Sequence, residues 1–248
     1  MASPEKRAHD LELLQLEMLP QPDDYTCGPT CLHAMYRYWG DDVPLAAVIA
    51  EVTTTQSGGT FAVFLANHAL QRGYRATLYT YNLRLFDPTW FAQPGFDVAD
   101  RLRRQREFKG PGRPTFAQMT DGFLEFLDHG GELRFVDPST ELLRRYLRRG
   151  VPILTGLSST FLYRHAREYG DDDEEDDIRG EPQGHFVVLC GYRPRKRSVL
   201  VADPFERNPL APGRHYEVRL ERVLCAIMLG VLTHDANLLM IEPRTGPA

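Results

Sequence analysis

No stretch of this 248-residue sequence approaches the roughly 18 consecutive apolar residues of a membrane-spanning helix, so membrane insertion by that route is not expected. Cysteine is scarce. Four in the whole chain are too few for a disulfide scaffold, and a reducing compartment would keep them as thiols. The C-x-x-C spacing of a thioredoxin-like redox pair is missing, because three residues separate Cys27 from Cys31. So is a second Cys/His cluster that could close a zinc site around Cys27, Cys31 and His33, and no metal or cofactor is expected. Excess positive charge is lacking too: the formal net charge is -5, and removing the seven acids of Asp171–Asp177 (DDDEEDD) leaves only +2. The RPRKR cluster at 193–197 falls where a turn is expected and reads as solvated surface, not as a nucleic-acid footprint. The N-terminal MASPEKRAHDLELLQLEML spreads acids through its apolar part and shows no signal-peptide core, so a cytoplasmic location is expected.

What is present suits a globular protein. With 42% hydrophobic and 25% charged residues, a chain of this length buries a substantial core, and one domain over 1–248 is expected. Apolar residues at helical spacing (Leu32, Met35, Tyr36, Trp39), stopped by Gly40, predict a helix from about Pro29 to Trp39. Further helices are predicted over 61–72, near 98–107, and at 115–129 and 139–149, with a strand over 75–81. The Pro- and Gly-containing region 82–135 and the segment 165–183 read as insertions or loops. Strand patterns then follow at 151–157, 185–192, 198–202, 216–220 and 238–241. Helices first and strands later predict an α+β fold.

The stretch YTCGPTC, residues 25–31, carries the chemical question. Its spacing disfavours a redox pair, and Cys31, one turn on, reads as packing, as do the isolated Cys190 and Cys225 in their apolar runs. Cys27 differs because it falls at a helix N-terminus, where unsatisfied N–H groups and the positive end of the helix dipole favour a thiolate. Gly28 would let a substrate backbone approach closely. A thiol nucleophile then needs an imidazole, a group to orient it and an oxyanion donor. His185 opens the strand HFVVLCGY directly after Gly184, and Asp203 closes the next strand, eighteen residues on. A hairpin turning near 193–197 would make the two cross-strand neighbours. Gln21, six residues before Cys27, could fold its amide toward the thiol. Ser158, just after a predicted strand, could line a substrate cleft with Ser159 and Tyr163.

Together, Gln21-x5-Cys27-Gly28-Pro29, Gly184-His185-Phe186-Val187-Val188 and Asp203-Pro204 resemble the C39-like branch of the papain-like cysteine peptidases. The resemblance implies a nucleophile helix packed on a C-terminal antiparallel sheet. It also implies Cys27 as nucleophile, His185 as base and acid, Asp203 as the orienting group and Gln21 as oxyanion donor. The implied activity is hydrolysis of an amide bond in a peptide or peptide-like substrate through an acyl-enzyme. Related folds host acyltransferases, transpeptidases and inactive peptide-binding domains, so those readings stay open. Members that cleave double-glycine leaders are often fused to transporters, and no such part is seen here, so their substrate is not carried over. The acidic run reads as a solvated, disordered loop, with a flap that draws in a cationic substrate as the alternative.

Overall fold

The computed structural model describes residues 12–56, 58–170, 174–234 and 236–244. Most of the N-terminal segment read for a signal peptide, and Asp171–Asp173 of the acidic run, lie outside the described residues. In chain order the elements are β1 (Glu12–Leu13), α1 (Cys27–Tyr38), α2 (Leu45–Glu51), α3 (Ala62–Gln71), β2 (Tyr74–Thr80), α4 (Val98–Lys109), α5 (Pro114–Asp128), β3 (Glu132–Arg134), α6 (Thr140–Arg148) and β4 (Ile153–Ser158). They continue as α7 (Ser159–Tyr163), β5 (Glu168–Tyr169), β6 (Glu174–Glu175), β7 (Gly184–Arg193), β8 (Ser198–Ala202), β9 (His215–Arg219), α8 (Leu220–Leu229) and β10 (Asn237–Pro243). Among the described residues no helix is long and apolar enough to cross a membrane.

The fold is α+β. One sheet runs in the order β3-β2-β10-β4-β7-β8-β9, with β1 paired to β7. All pairings are antiparallel except β2 with β3. Helices cover both faces. On one side α1, α3 and α5 build a core with Phe186, Val188 and Ala202. On the other, α6 and α8 pack over Val187, Leu189 and Val201. β7, with cover on both faces, is buried from His185 to Tyr192 and reads as a continuous apolar run instead of an alternating one. β9, exposed on one face, alternates.

Two departures from the expected order have clear causes. β2 follows α1 to α3 and precedes α4 to α6, yet it pairs along its full length with the C-terminal β10, so the sheet draws on distant parts of the chain. Residues 220–229 form α8, which sequence reading passed over as an apolar run. Its buried residues Leu220, Val223, Ala226 and Ile227 follow helical spacing, and Cys225, read as a packed small hydrophobe, is exposed. Region 82–135 is largely helical. At Gly122 of α5, a Cβ would lie 2.5 Å from Phe64, so glycine allows α5 to close onto α3.

α1 is enclosed all round, with Gly28 to Tyr36 buried without a break, and it packs on β7, α2 and α3. Gly28 therefore serves packing, not the approach of a substrate: a Cβ there would sit 2.7 Å from Thr60 Cγ2 and 3.2 Å from the Phe186 ring. Gly28→Ala is expected to lower stability by about 1–3 kcal/mol through overpacking, measured by chemical denaturation. Thr60→Ser removes the clashing methyl, so the double variant should recover most of the loss. A double variant as unstable as Gly28→Ala alone would show that the contact is not the cause.

Candidate active site

The first residue of α1 is Cys27. Thr26, just before it, caps with no side-chain bond, and the first turn carries no acid, so nothing of opposite sign competes for the orphan N–H groups there. Pro29 falls within that turn, where its missing N–H costs no intrahelical bond. Half-buried, Cys27 lines a cleft of about 600 Å³ that Gln21, Gly184, His185 and Phe205 also line.

His185 reaches this cleft from the second position of β7. Its Nε2 lies 2.8 Å from Asp203 Oδ1, which leaves Nδ1 for the hydrogen bond with the Cys27 side chain. Asp203 is wholly buried and accepts four bonds. Oδ1 takes His185 Nε2 and the Phe205 N–H at 2.9 Å. Oδ2 takes the hydroxyls of Tyr163 and Tyr216, each at 2.5 Å.

The strand register explains why two residues on neighbouring strands can meet. Near the turn Tyr192 pairs with Val199, but past an irregularity between Leu189 and Gly191 the pairs become Leu189 with Val201 and Val188 with Ala202. One extra residue, Cys190, has been inserted in β7. Carried one step on, this register sets Asp203 opposite Val187, on the sheet face shared by His185. Without the bulge Asp203 would face Val188, on the opposite side. The two are cross-strand neighbours on a diagonal, close enough for their hydrogen bond.

Gln21 is tied beside the pair by its backbone, whose N–H donates to Pro204 O at 3.0 Å. Its Nε2 donates to Asp23 O at 2.8 Å, which spends one of two amide hydrogens and leaves one for the cleft. Gly184 is in the cleft wall. Ser158 is not: it is buried, and its Oγ accepts the Phe161 N–H at 3.3 Å at the start of α7. Ser159 and Thr160 line the cleft in its place. Tyr216 had no signal in the sequence beyond an inward position in an alternating strand. The acidic run also differs from the expected loop. Glu174–Glu175 pair antiparallel with Glu168–Tyr169, and Asp176 holds the turn that follows by accepting the Ile178 and Arg179 N–H groups. Glu175 and Asp24 both line the cleft.

Cys31 lies beneath the site with no exposure, its thiol donating to Phe186 O at 3.3 Å. Burial, then the neighbouring Cys27, pushes its pKa well up. His185 and Asp203 shift in opposite directions. Burial disfavours the imidazolium, but the Asp203 charge and hydrogen bond, with Cys27, outweigh it and push His185 up to about 10. Burial likewise works against the Asp203 carboxylate, and the His185 charge with the hydrogen bonds of His185, Tyr163 and Tyr216 hold it below its ordinary value.

Residues 128–219 match the model of the Peptidase_C39 like family, a span that includes His185 and Asp203 and stops short of Cys27. The class to which the chain is similar is therefore the C39-like cysteine peptidases. A Bacillus anthracis protein described as a C39-like peptidase has a similar solved structure, with 17% identity, TM-score 0.51, and coverage of 96% of this chain and 99% of that one. Xylellain, a cysteine protease from Xylella fastidiosa, aligns at 13% identity and TM-score 0.48, covering 98% of this chain and 90% of its own. A double glycine motif protease from an AMS/PCAT transporter, solved with its leader peptide, aligns at 13% identity and TM-score 0.44, covering 93% and 94%. No curated protein matches the sequence.

The opposed shifts make the pair a source of pH-dependent stability. The His185 share is complete below the ordinary histidine range near 6.5 and is lost as pH rises through about 10. The Asp203 share is present above the ordinary value of 3.8 and is lost as pH falls through its lowered value. The melting temperature should therefore decline between about pH 7 and pH 10, and His185→Gln should flatten that decline. An equally steep decline in the variant would mean that the pair does not set it.

Proposed function

We propose that this chain is a cysteine peptidase that hydrolyses an amide bond in a peptide or peptide-like substrate. The observation that carries the reading is the meeting of Cys27 and His185 on one cleft, with Asp203 buried behind the imidazole and bonded to it at 2.8 Å. In this mechanism the Cys27 thiol passes its proton to His185 Nδ1, and the sulfur attacks the substrate carbonyl carbon. Charge developing on the carbonyl oxygen is met by the Gln21 amide and the backbone N–H of Cys27. Collapse of the tetrahedral intermediate breaks the C–N bond. The leaving amine takes the proton from His185, and a thioester remains on Cys27. Water then gives a proton to His185 and attacks the thioester; the C–S bond breaks, the carboxylic acid leaves, and the proton on His185 returns to sulfur. Asp203 keeps the imidazole oriented and stabilises its charged form throughout.

A nucleophilic thiol must stay reduced, which fits a cytoplasmic location. Asp24, Glu168 and Glu175 outnumber Arg207 in the cleft wall, which favours substrates carrying a basic residue.

Two experiments test this. Incubation with a peptide library, read by mass spectrometry, should give cleavage products that fall by about 1,000-fold or more in Cys27→Ala. Products retained in that variant would remove Cys27 from the chemistry. Transfer of the acyl group to added amines in preference to water would make the site an acyltransferase, and unchanged peptide binding by both proteins without turnover would make it a binding module. Iodoacetamide at a pH of about 6 should label Cys27 before Cys225, the exposed thiol, if Cys27 is the nucleophile. Equal slow labelling would count against the nucleophile.

A further inference from the structure

Asp203 is a carboxylate without any solvent exposure, and a buried charge persists only where its oxygens are met by donors. His185 Nε2 and the Phe205 N–H occupy Oδ1. Oδ2 would be bare but for two phenols, Tyr163 from α7 and Tyr216 from β9, both buried and both donating at 2.5 Å. Two O–H donors on one carboxylate oxygen exceed what filling a core requires, since a buried tyrosine needs only one partner of any kind.

We propose that Tyr163 and Tyr216 are positioning residues of the active site: their hydroxyls fix the rotation of the Asp203 carboxylate and take up part of its charge, so that it orients His185 without itself becoming protonated. The inference rests on Asp203 being the group that orients His185. The two tyrosines are not equivalent. Tyr163 also lines the cleft and stacks on Phe205, with ring centroids 6.2 Å apart, while Phe205 meets the His185 ring edge-on at 6.2 Å. Tyr216, on β9, is outside the cleft lining and can reach substrate only through Asp203. It therefore gives the cleaner test.

The titratable groups that face Asp203 are His185 from β7, the two tyrosines from α7 and β9, and Cys31 from α1, with Cys27 beyond the imidazole. Burial and the Asp203 charge push both phenols far up, so they remain donors across the working range. Removing one hydroxyl has two effects of the same sign. The less stabilised carboxylate takes a proton at higher pH, which raises the acid limb. Its less shared charge holds the His185 proton more firmly, which raises the basic limb, the pH at which the alkylation rate changes as the imidazolium beside the sulfur is lost.

The experiment follows the rate of Cys27 alkylation by iodoacetamide against pH in a Cys225→Ser background, in the full chain and in Tyr216→Phe. It needs no substrate. Both limbs should move up by about one pH unit in Tyr216→Phe, and, where peptide turnover is measured, kcat/KM should follow with KM unchanged. Limbs that superimpose on those of the parent or move down, with any loss confined to melting temperature or active fraction, would overturn the proposal. Should Tyr216→Phe fail to fold, Tyr163→Phe is read by the same limbs. A protein without peptide turnover whose alkylation limbs still move would count against the peptidase reading and not against this one.

Discussion

A single buried carboxylate organises this structure. Asp203 has no contact with water, yet it carries four hydrogen bonds whose donors come from α7, β7, β9 and the turn after β8. Its own N–H pairs with Arg214 O at 2.8 Å, and Gln21 is anchored on the next residue, Pro204. The segment that leads into Cys27 is therefore fastened to the segment that holds Asp203. Desolvation on this scale is tolerated only because every donor is in place, so the position of His185, the fold of β8 and β9, and the approach to α1 are linked through one group.

That linkage depends on the β7 bulge. In an antiparallel pair, register decides which side chains share a face, and a shift of one residue reverses the assignment. Cys190 is the residue that makes the count odd. Its thiol, buried beside Leu200 O, contributes no chemistry of its own; its place in the chain does. The bulge also lets β7 pack Phe186 and Val188 against α1 while it presents His185 to Asp203 at the strand's end. The nucleophile helix and the imidazole thus meet at the rim of the sheet, although they belong to different layers.

Much of this was legible in the sequence because the signals were local. The spacing of Leu32, Met35 and Tyr36 marked α1, Gly40 and Gly73 marked helix ends, and the apolar run from Phe186 marked β7. A His and an Asp, each at the site end of its strand, were visible because polar residues stand out in apolar segments. What was illegible depended on register or on distant partners. Nothing near Tyr216 says that its hydroxyl reaches Asp203, since it is one more inward residue of an alternating strand. Ser158 and Ser159 are neighbours of identical type, and only the start of α7 turns one into a cap and the other toward the cleft. Gly28 reads as freedom for a substrate, whereas the atoms that need its missing side chain, Thr60 and Phe186, lie far off in sequence. The acidic strand pair was obscured by its composition: like charges argue for an extended loop, and the backbone pairing of Glu174–Glu175 with Glu168–Tyr169 outweighs that locally.

The two cysteines of the YTCGPTC stretch show how far one helical turn can separate chemically identical side chains. Both are on α1, and the helix axis carries both toward the same end of the sheet. Cys27 sits at the open first turn, half-exposed to the cleft and within reach of an imidazole that Asp203 has made a strong proton acceptor. Cys31 is four residues further along, sealed by β7, with its S–H directed at the Phe186 carbonyl. Burial alone would raise its pKa, and the negative charge that develops on Cys27 raises it further. An anion at one position therefore discourages an anion at the other. Of the two sulfurs, the one sealed by β7 is held in its neutral form.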